Sequence, residues 1–235
     1  MHIGILKAGH IPCKLKVKHA DYWEMWFQAI SHRCPSYEFS IFDIQNHEYP
    51  INIDTCDAYI CTGSASSTYS NERWISELMD FVRKCYLKKK KFIGICFGHQ
   101  AIAVALGGHC ERSTFGWGVG IKTSYITKIK PWMQPDINSF NLIYSHQDQV
   151  INLPDIAEKI SYSDHCLYTM FSIGDYMLGI QGHPEWSKGY AVDLLSLRSN
   201  VIEPSTLHEA MQTISRIFPD TNSILNWIIR FISDR

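Results

Sequence analysis

Three things are scarce in this chain: paired cysteines, charge of one sign, and long apolar runs. The closest cysteines are Cys56 and Cys61, the others stand apart at 13, 34, 85, 96, 110 and 166, and no C-x-x-C occurs. Zinc frameworks gather their ligands in tighter pairs than this, so neither a metal nor another cofactor is expected. The 22 Lys and Arg are matched by 23 Asp and Glu, for a net charge of −1, which leaves no positive field to hold a nucleic-acid backbone. The one basic run, Lys88 to Lys91, reads as a solvated helix end. The opening stretch MHIGILKAGH is too short an apolar run for a signal peptide or a membrane span. The expectation is a cytoplasmic protein with reduced thiols and with neither nucleic acid nor membrane as partner.

What the chain has is core material. With 235 residues, 46% of them hydrophobic, it can bury a sizeable interior, and no low-complexity linker divides it. One domain over residues 1–235 is expected, with a helical extension from about residue 187. The first half alternates strand-like runs (HIGIL at 2–6, FSIFDI at 39–44, DAYICTG at 57–63, FIGI at 92–95) with helical ones. Tyr22, Trp23, Trp26, Phe27 and Ile30 fall at helical spacing, as do Trp74, Leu78, Val82 and Cys85, and GHQAIAVALGG ends in the paired glycines 107 and 108. After residue 110 the runs VGIKTSYIT, FNLIYS, EKISYS, YTMFSI and YMLGIQG predict a mixed or antiparallel portion, and the last 50 residues return to helix. The fold class is α/β: an open, mostly parallel central sheet with helices on both faces and a smaller antiparallel portion.

Ligands of an open parallel sheet bind beyond the carboxyl ends of its strands, and Cys96 falls at such an end. It sits in KFIGICFGHQ between Gly94 and Gly98. A sharp strand-to-helix turn that lifts a nucleophile out of a sheet crowds the backbone on either side, and glycines two residues before and after relieve that crowding. The following helix aims its first N–H groups at the sulfur, an arrangement that favours negative charge there and leaves the amide of Phe97 facing a developing oxyanion. A thiolate also needs a base and a group to orient it. GIQGHPEW supplies both, because His183 and Glu185 are two residues apart and project to one side of extended backbone, with Pro184 stiffening the link. Gly63-Ser64, at the end of DAYICTGS, is a turn able to present the second oxyanion donor.

These residues resemble the class I glutamine amidotransferases, the triad type with a Cys-His-Glu site. GICFGHQ, GHPE, TGS at 62–64 and SHQDQV at 145–150 carry the resemblance, in the family's order. It implies a flavodoxin-like fold and hydrolysis of a γ-glutamyl amide through a glutamyl thioester on Cys96, with His183 as proton carrier and Glu185 as its orienter. By the same resemblance the oxyanion donors are the amides of Phe97 and the Gly63-Ser64 turn. Gln100, Ser145, His146, Gln147 and Asp148 surround the glutamyl amino and carboxylate groups, and His99 supports the turn. GWGVG (116–120) and the helical tail are most similar to the branch of the GMP synthase glutaminase domain, which includes γ-glutamyl peptidases. The oxyanion turn reads Gly-Ser-Ala where many members have Gly-Gly-Pro.

The implied partner is a small molecule, glutamine or another γ-glutamyl compound. The chain leaves no room for an attached synthetase, which favours a free-standing γ-glutamyl hydrolase or transferase. The alternatives are a glutaminase subunit feeding ammonia to a separate synthase and a non-catalytic relative that senses a ligand or holds a partner; the complete triad argues against the last.

Overall fold

The computed structural model describes residues 1–233. The first half runs β1 (His2–Leu6), α1 (Tyr22–Ser31), β2 (Glu38–Phe42), β3 (Ala58–Cys61), α2 (Arg73–Leu87), β4 (Lys91–Ile95) and α3 (Phe97–Ala105). The second half is strand-rich: β5 (His109–Arg112), β6 (Gly118–Ile126), β7 (Ser139–His146), β8 (Asp148–Asn152), β9 (Glu158–Tyr162), β10 (Met170–Ile173) and β11 (Met177–Ile180). Three helices follow, α4 (Lys188–Leu197), α5 (Pro204–Arg216) and α6 (Thr221–Ser233).

A nine-stranded sheet has the order β2-β1-β3-β4-β11-β10-β9-β6-β7. From β2 to β11 the neighbours are parallel, and from β11 to β7 they are antiparallel. Local chemistry explains the helices around it. Asp21 accepts the Tyr22 amide at 2.9 Å while Glu24 reaches back to the Asp21 amide at 2.7 Å, a capping box that starts α1. Trp74, Leu78, Val82 and Cys85 are buried along α2, as a 3.6-residue period on a sheet face requires. On one face Trp26 and Ile30 of α1 and Trp227 and Phe231 of α6 pack over Ile3, Ile5, Ile93 and Ile95. On the other, Leu78 and Val82 of α2 and Ala101 and Ile102 of α3 pack with Leu6, Tyr59 and Phe92. The sheet is therefore covered on both faces, as the alternating pattern predicts. No helix among the described residues is long and apolar enough to cross a membrane.

YMLGIQG, read into the mixed or antiparallel portion, forms β11, which is antiparallel to β10 and parallel to β4 and so joins the two halves of the sheet. The structure differs from the sequence reading in three places. HCER was not expected to be a strand, yet β5 pairs with β8 as a separate ribbon; only Cys110 of its four residues is buried, so the apolar alternation that marks a strand is missing. Phe27, placed on the buried face of α1, is 41% exposed, and Met25 turns inward instead. Lys88 to Lys91 is not simply a solvated helix end. Lys91 begins β4 and donates its Nζ to the carbonyls of Asp175 and Phe231 at 2.8 and 2.7 Å, and Lys90 pairs with Asp54 at 3.0 Å.

The carboxy-terminal helix is part of the core. Trp227 is fully buried, meets the rings of Trp132 and Phe140 edge-on, and donates Nε1 to the Pro135 carbonyl at 3.1 Å. Trp227→Ala is expected to cost about 3–5 kcal/mol in urea unfolding. A loss below about 1 kcal/mol would mean that α6 is an appendage rather than a layer of the fold.

Candidate active site

Three neighbouring parallel strands, β3, β4 and β11, end at the same edge of the sheet. Cys96 follows β4 directly and caps α3 with φ +51° and ψ −98°, a conformation that a residue with a side chain adopts only when its surroundings impose it. The surroundings are tight. A Cβ on Gly94 would lie 2.2 Å from the Gly98 carbonyl oxygen, and one on Gly98 would lie 2.6 Å from that of Cys61. Both glycines are therefore required for α3 to turn back over β4. The Cys96 amide donates to the Ile180 carbonyl at 2.8 Å, which ties the turn to β11. Phe97 is buried against Trp74, and as the first residue of α3 its amide has no acceptor within the helix.

His183 enters the same space from the end of β11, anchored by its amide on the Ile143 carbonyl at 2.8 Å. Its Nδ1 lies 2.8 Å from Glu185 Oε1, with the two side chains only 2% and 1% exposed. A carboxylate can only accept, so Nδ1 holds the proton and Nε2 is left for chemistry. Burial alone opposes a charged imidazole, but the Glu185 carboxylate, and after it the Cys96 thiol, outweigh burial and hold His183 above its ordinary range. Nε2 has no regular hydrogen-bond partner among the described residues. Gly63 completes the convergence: a Cβ there would sit 3.0 Å from His183 Cε1 and 3.6 Å from Cys96 Cβ. The indole of Trp186 covers one face of the imidazole, with ring centroids 3.5 Å apart and planes at 9°.

Cys96 opens on a cleft of about 310 Å³, also lined by Ser64 to Ser67, Gln100, Trp117, Ser145 to Asp148 and Arg198. A larger cavity of about 460 Å³ lies behind Glu185 and Trp186 and does not include the thiol. The predicted residues at 145–148 all reach the cleft, by different means. The Asp148 carboxylate accepts from the hydroxyls of Ser67 and Tyr69. Ser145 accepts from Arg198 Nη1 at 2.6 Å. His146 is buried and kept neutral, its pKa pulled down to about 3 by burial and by His165, and its Nδ1 faces the Asp148 carbonyl at 3.0 Å. Gln147 is half-buried, and its carbonyl accepts from the Ser113 amide at 2.8 Å. Gln100 also lines the cleft, and its Nε2 donates to the Asp148 carbonyl at 2.8 Å and Gln181 Oε1 at 3.2 Å. His99 is fully buried against Phe171 and stays neutral, its pKa lowered by burial to about 3, out of reach of the cleft.

Sequence reasoning missed Trp117, Arg198 and Trp186. Arg198 lies just past α4 with its guanidinium 5.3 Å from the Trp117 ring, and it is the one Lys or Arg among the described residues that lines the cleft. In the sequence it carries no sign of this, being one more polar residue in an amphipathic run. Trp186 lies within GIQGHPEW, but its partners Tyr22 and Tyr190 come from other elements of the chain.

A model of the glutamine amidotransferase class-I family matches residues 21–195. The chain belongs to the class I glutamine amidotransferases. Within this family it is 31% identical over 205 residues to γ-glutamyl peptidase 2 of Arabidopsis thaliana, covering 84% of this chain and 83% of that one. A glutamine-hydrolysing GMP synthase component from Methanococcus maripaludis is 34% identical over 104 residues, covering 44% of this chain and 54% of that one. Among solved structures, a glutamine amidotransferase from Thermotoga maritima superposes with a TM-score of 0.76 at 17% identity, covering 99% of this chain and 96% of that one. That likeness shows a shared fold over 99% of this chain.

The glycine requirement is testable in this amidotransferase. Gly94→Ala places a methyl group against backbone and is expected to destabilise by about 3 kcal/mol or more in urea unfolding. Gly189→Ala, where the nearest atom to a Cβ is Ser187 Oγ at 3.8 Å, is expected to be neutral or to stabilise α4 by up to about 1 kcal/mol. Equal effects at the two positions would contradict the crowded turn.

Proposed function

We propose that this class I glutamine amidotransferase is a free-standing enzyme that hydrolyses a γ-glutamyl amide bond through a glutamyl thioester on Cys96, with residues 1–235 acting as one domain. The observation that carries this reading is the convergence of Cys96, the buried His183–Glu185 pair and Gly63 at one sheet edge, beside a cleft that offers both charges. In the reaction the Cys96 sulfur attacks the γ-carbonyl carbon, and the oxyanion that forms is met by the amides of Phe97 and the Gly63-Ser64 turn. His183 takes the thiol proton and passes it from Nε2 to the leaving amine, which departs as the thioester forms. It then takes a proton from the attacking water, and glutamate is released. Glu185 holds the ring in the required tautomer.

Asp148 and Arg198 line the cleft with a carboxylate and a cation, which suits the α-ammonium and α-carboxylate of a γ-glutamyl head. A cleft of about 310 Å³ is at the small end of ligand sites, as fits a substrate of glutamine to tripeptide size. The peptidase reading is preferred to that of an ammonia supplier because similarity to γ-glutamyl peptidase 2 runs through 84% of the chain, whereas similarity to the GMP synthase component covers 44%.

The test is glutamate release by the purified chain from glutathione and from glutamine, with Cys96→Ala as the blank. Release from glutathione exceeding that from glutamine is the expected result; release from glutamine alone would favour the ammonia-supplying reading. Glu185→Gln is expected to lower kcat about 100-fold with KM within twofold, since it removes ring orientation rather than a substrate contact. A mutant that keeps full kcat would exclude Glu185 from the mechanism.

A further inference from the structure

The His183 ring is backed by more than a single aromatic neighbour. Trp186, cofacial with the imidazole at 3.5 Å, is itself stacked by Tyr22 at 5.9 Å and 18° and met edge-on by Tyr190 at 4.9 Å and 74°. The two tyrosines are joined by a hydrogen bond of 2.9 Å between their hydroxyls. Tyr22 begins α1, Trp186 lies in the segment after β11 and Tyr190 is in α4, so two other elements hold the indole plane. All three side chains are buried.

The polar edge of the indole is not the reason for its placement, because Trp186 Nε1 has no hydrogen-bond partner among the described residues. What it presents to His183 is its face. The negative face of an indole attracts a cation far more than a neutral ring, and the attraction is strongest where water is excluded. His183 is 2% exposed, so the condition is met.

The groups around the imidazole leave room for such a contribution. Glu185 faces it from its own segment and Cys96 from the end of β4, both favouring the cation; His146 on β7 is neutral. Tyr22 and Tyr190 sit behind the indole and remain protonated, pushed up by burial, and Arg198 acts on those two from beyond α4. The desolvation of His183 is opposed by Glu185 and the thiol on its edges, and the indole covers its face.

We propose that Trp186 is a positioning residue for the catalytic base: its face locks the imidazole plane between Glu185 and Cys96 and stabilises the imidazolium that forms when the thiol proton is transferred. The proposal rests on the reading of His183 as that base. It adds no covalent step. The proton moves from Cys96 to Nε2 and on to the leaving amine as already described, and the indole lowers the energy of the intermediate state.

The test is a titration of the full chain labelled with 15N-histidine, following the His183 resonances, which are assigned by their loss in His183→Gln. Trp186→Phe keeps a π face, and Trp186→Leu fills the space without one. The expected midpoint for the imidazolium is about one pH unit lower in Trp186→Leu than in the wild type, and within a few tenths in Trp186→Phe. In turnover, Trp186→Leu is expected to lower kcat about tenfold with KM within twofold, and the alkaline limb of the rate profile moves to lower pH, because the imidazolium is lost sooner. Equal midpoints in wild type and Trp186→Leu, or equal falls in the Leu and Phe variants, would overturn the proposal, since volume alone would then account for the site.

If the leucine variant does not fold, fluorinated tryptophan incorporated at all seven tryptophans keeps the shape and weakens the π face. A midpoint that falls with each added fluorine is then expected, and one that does not move refutes the role. The titration needs no substrate, so a wild type that titrates as expected but releases no glutamate would fault the substrate reading and leave this one standing.

Discussion

The pairing of β4 with β11 is the constraint on which the site depends. Four residue pairs, from Met177 opposite Phe92 to Ile180 opposite Ile95, hold the two strands parallel and in register. Because they run the same way, their next residues emerge at one edge, and the Cys96 amide closes on the Ile180 carbonyl as the last rung. A slip of one residue would turn every side chain on β11 to the opposite face and carry His183 away from the thiol. β11 is held on its other side by β10 through the hairpin Met170–Ile180, so the antiparallel half of the sheet serves to place the histidine.

The elbow at Cys96 shows the cost of that placement. A positive φ at a non-glycine residue is strained, and it persists because α3 packs on α2 through Phe97 and Trp74 while Gly94 and Gly98 let helix and strand approach to backbone contact. A buried ion pair with incomplete partners is a poor source of stability, and here Glu185 Oε2 and His183 Nε2 have no hydrogen-bond partner among the described residues. Such atoms are expected where a site is shaped for a reaction rather than for rest.

Much of the scaffold was legible in the sequence because burial writes itself as periodicity. HIGIL, DAYICTG and FIGI are short apolar runs that read as strands, and the Trp74-Leu78-Val82-Cys85 stripe reads as one face of a helix. The ribbon of β5 and β8 was not legible, because HCER has one apolar residue in four and shows no alternation. The exposure of Phe27 was likewise hidden: helical spacing marks a stripe but does not say where its edge falls.

The candidate site divides along the same line. Gly-x-Cys-x-Gly and His-Pro-Glu are local devices, whose function in a turn or in two residues of extended chain can be read from neighbours in sequence. Arg198, Trp117 and the Tyr22-Trp186-Tyr190 stack are not local, and no spacing announces them. By itself the sequence determined most of the core strands and helices, the elbow and the histidine-carboxylate pair, since each is imposed by covalent proximity and the period of the backbone. Only the tertiary structure decided that β11 lies against β4, which cation enters the cleft and which ring backs the imidazole, because these follow from how distant segments share one buried volume.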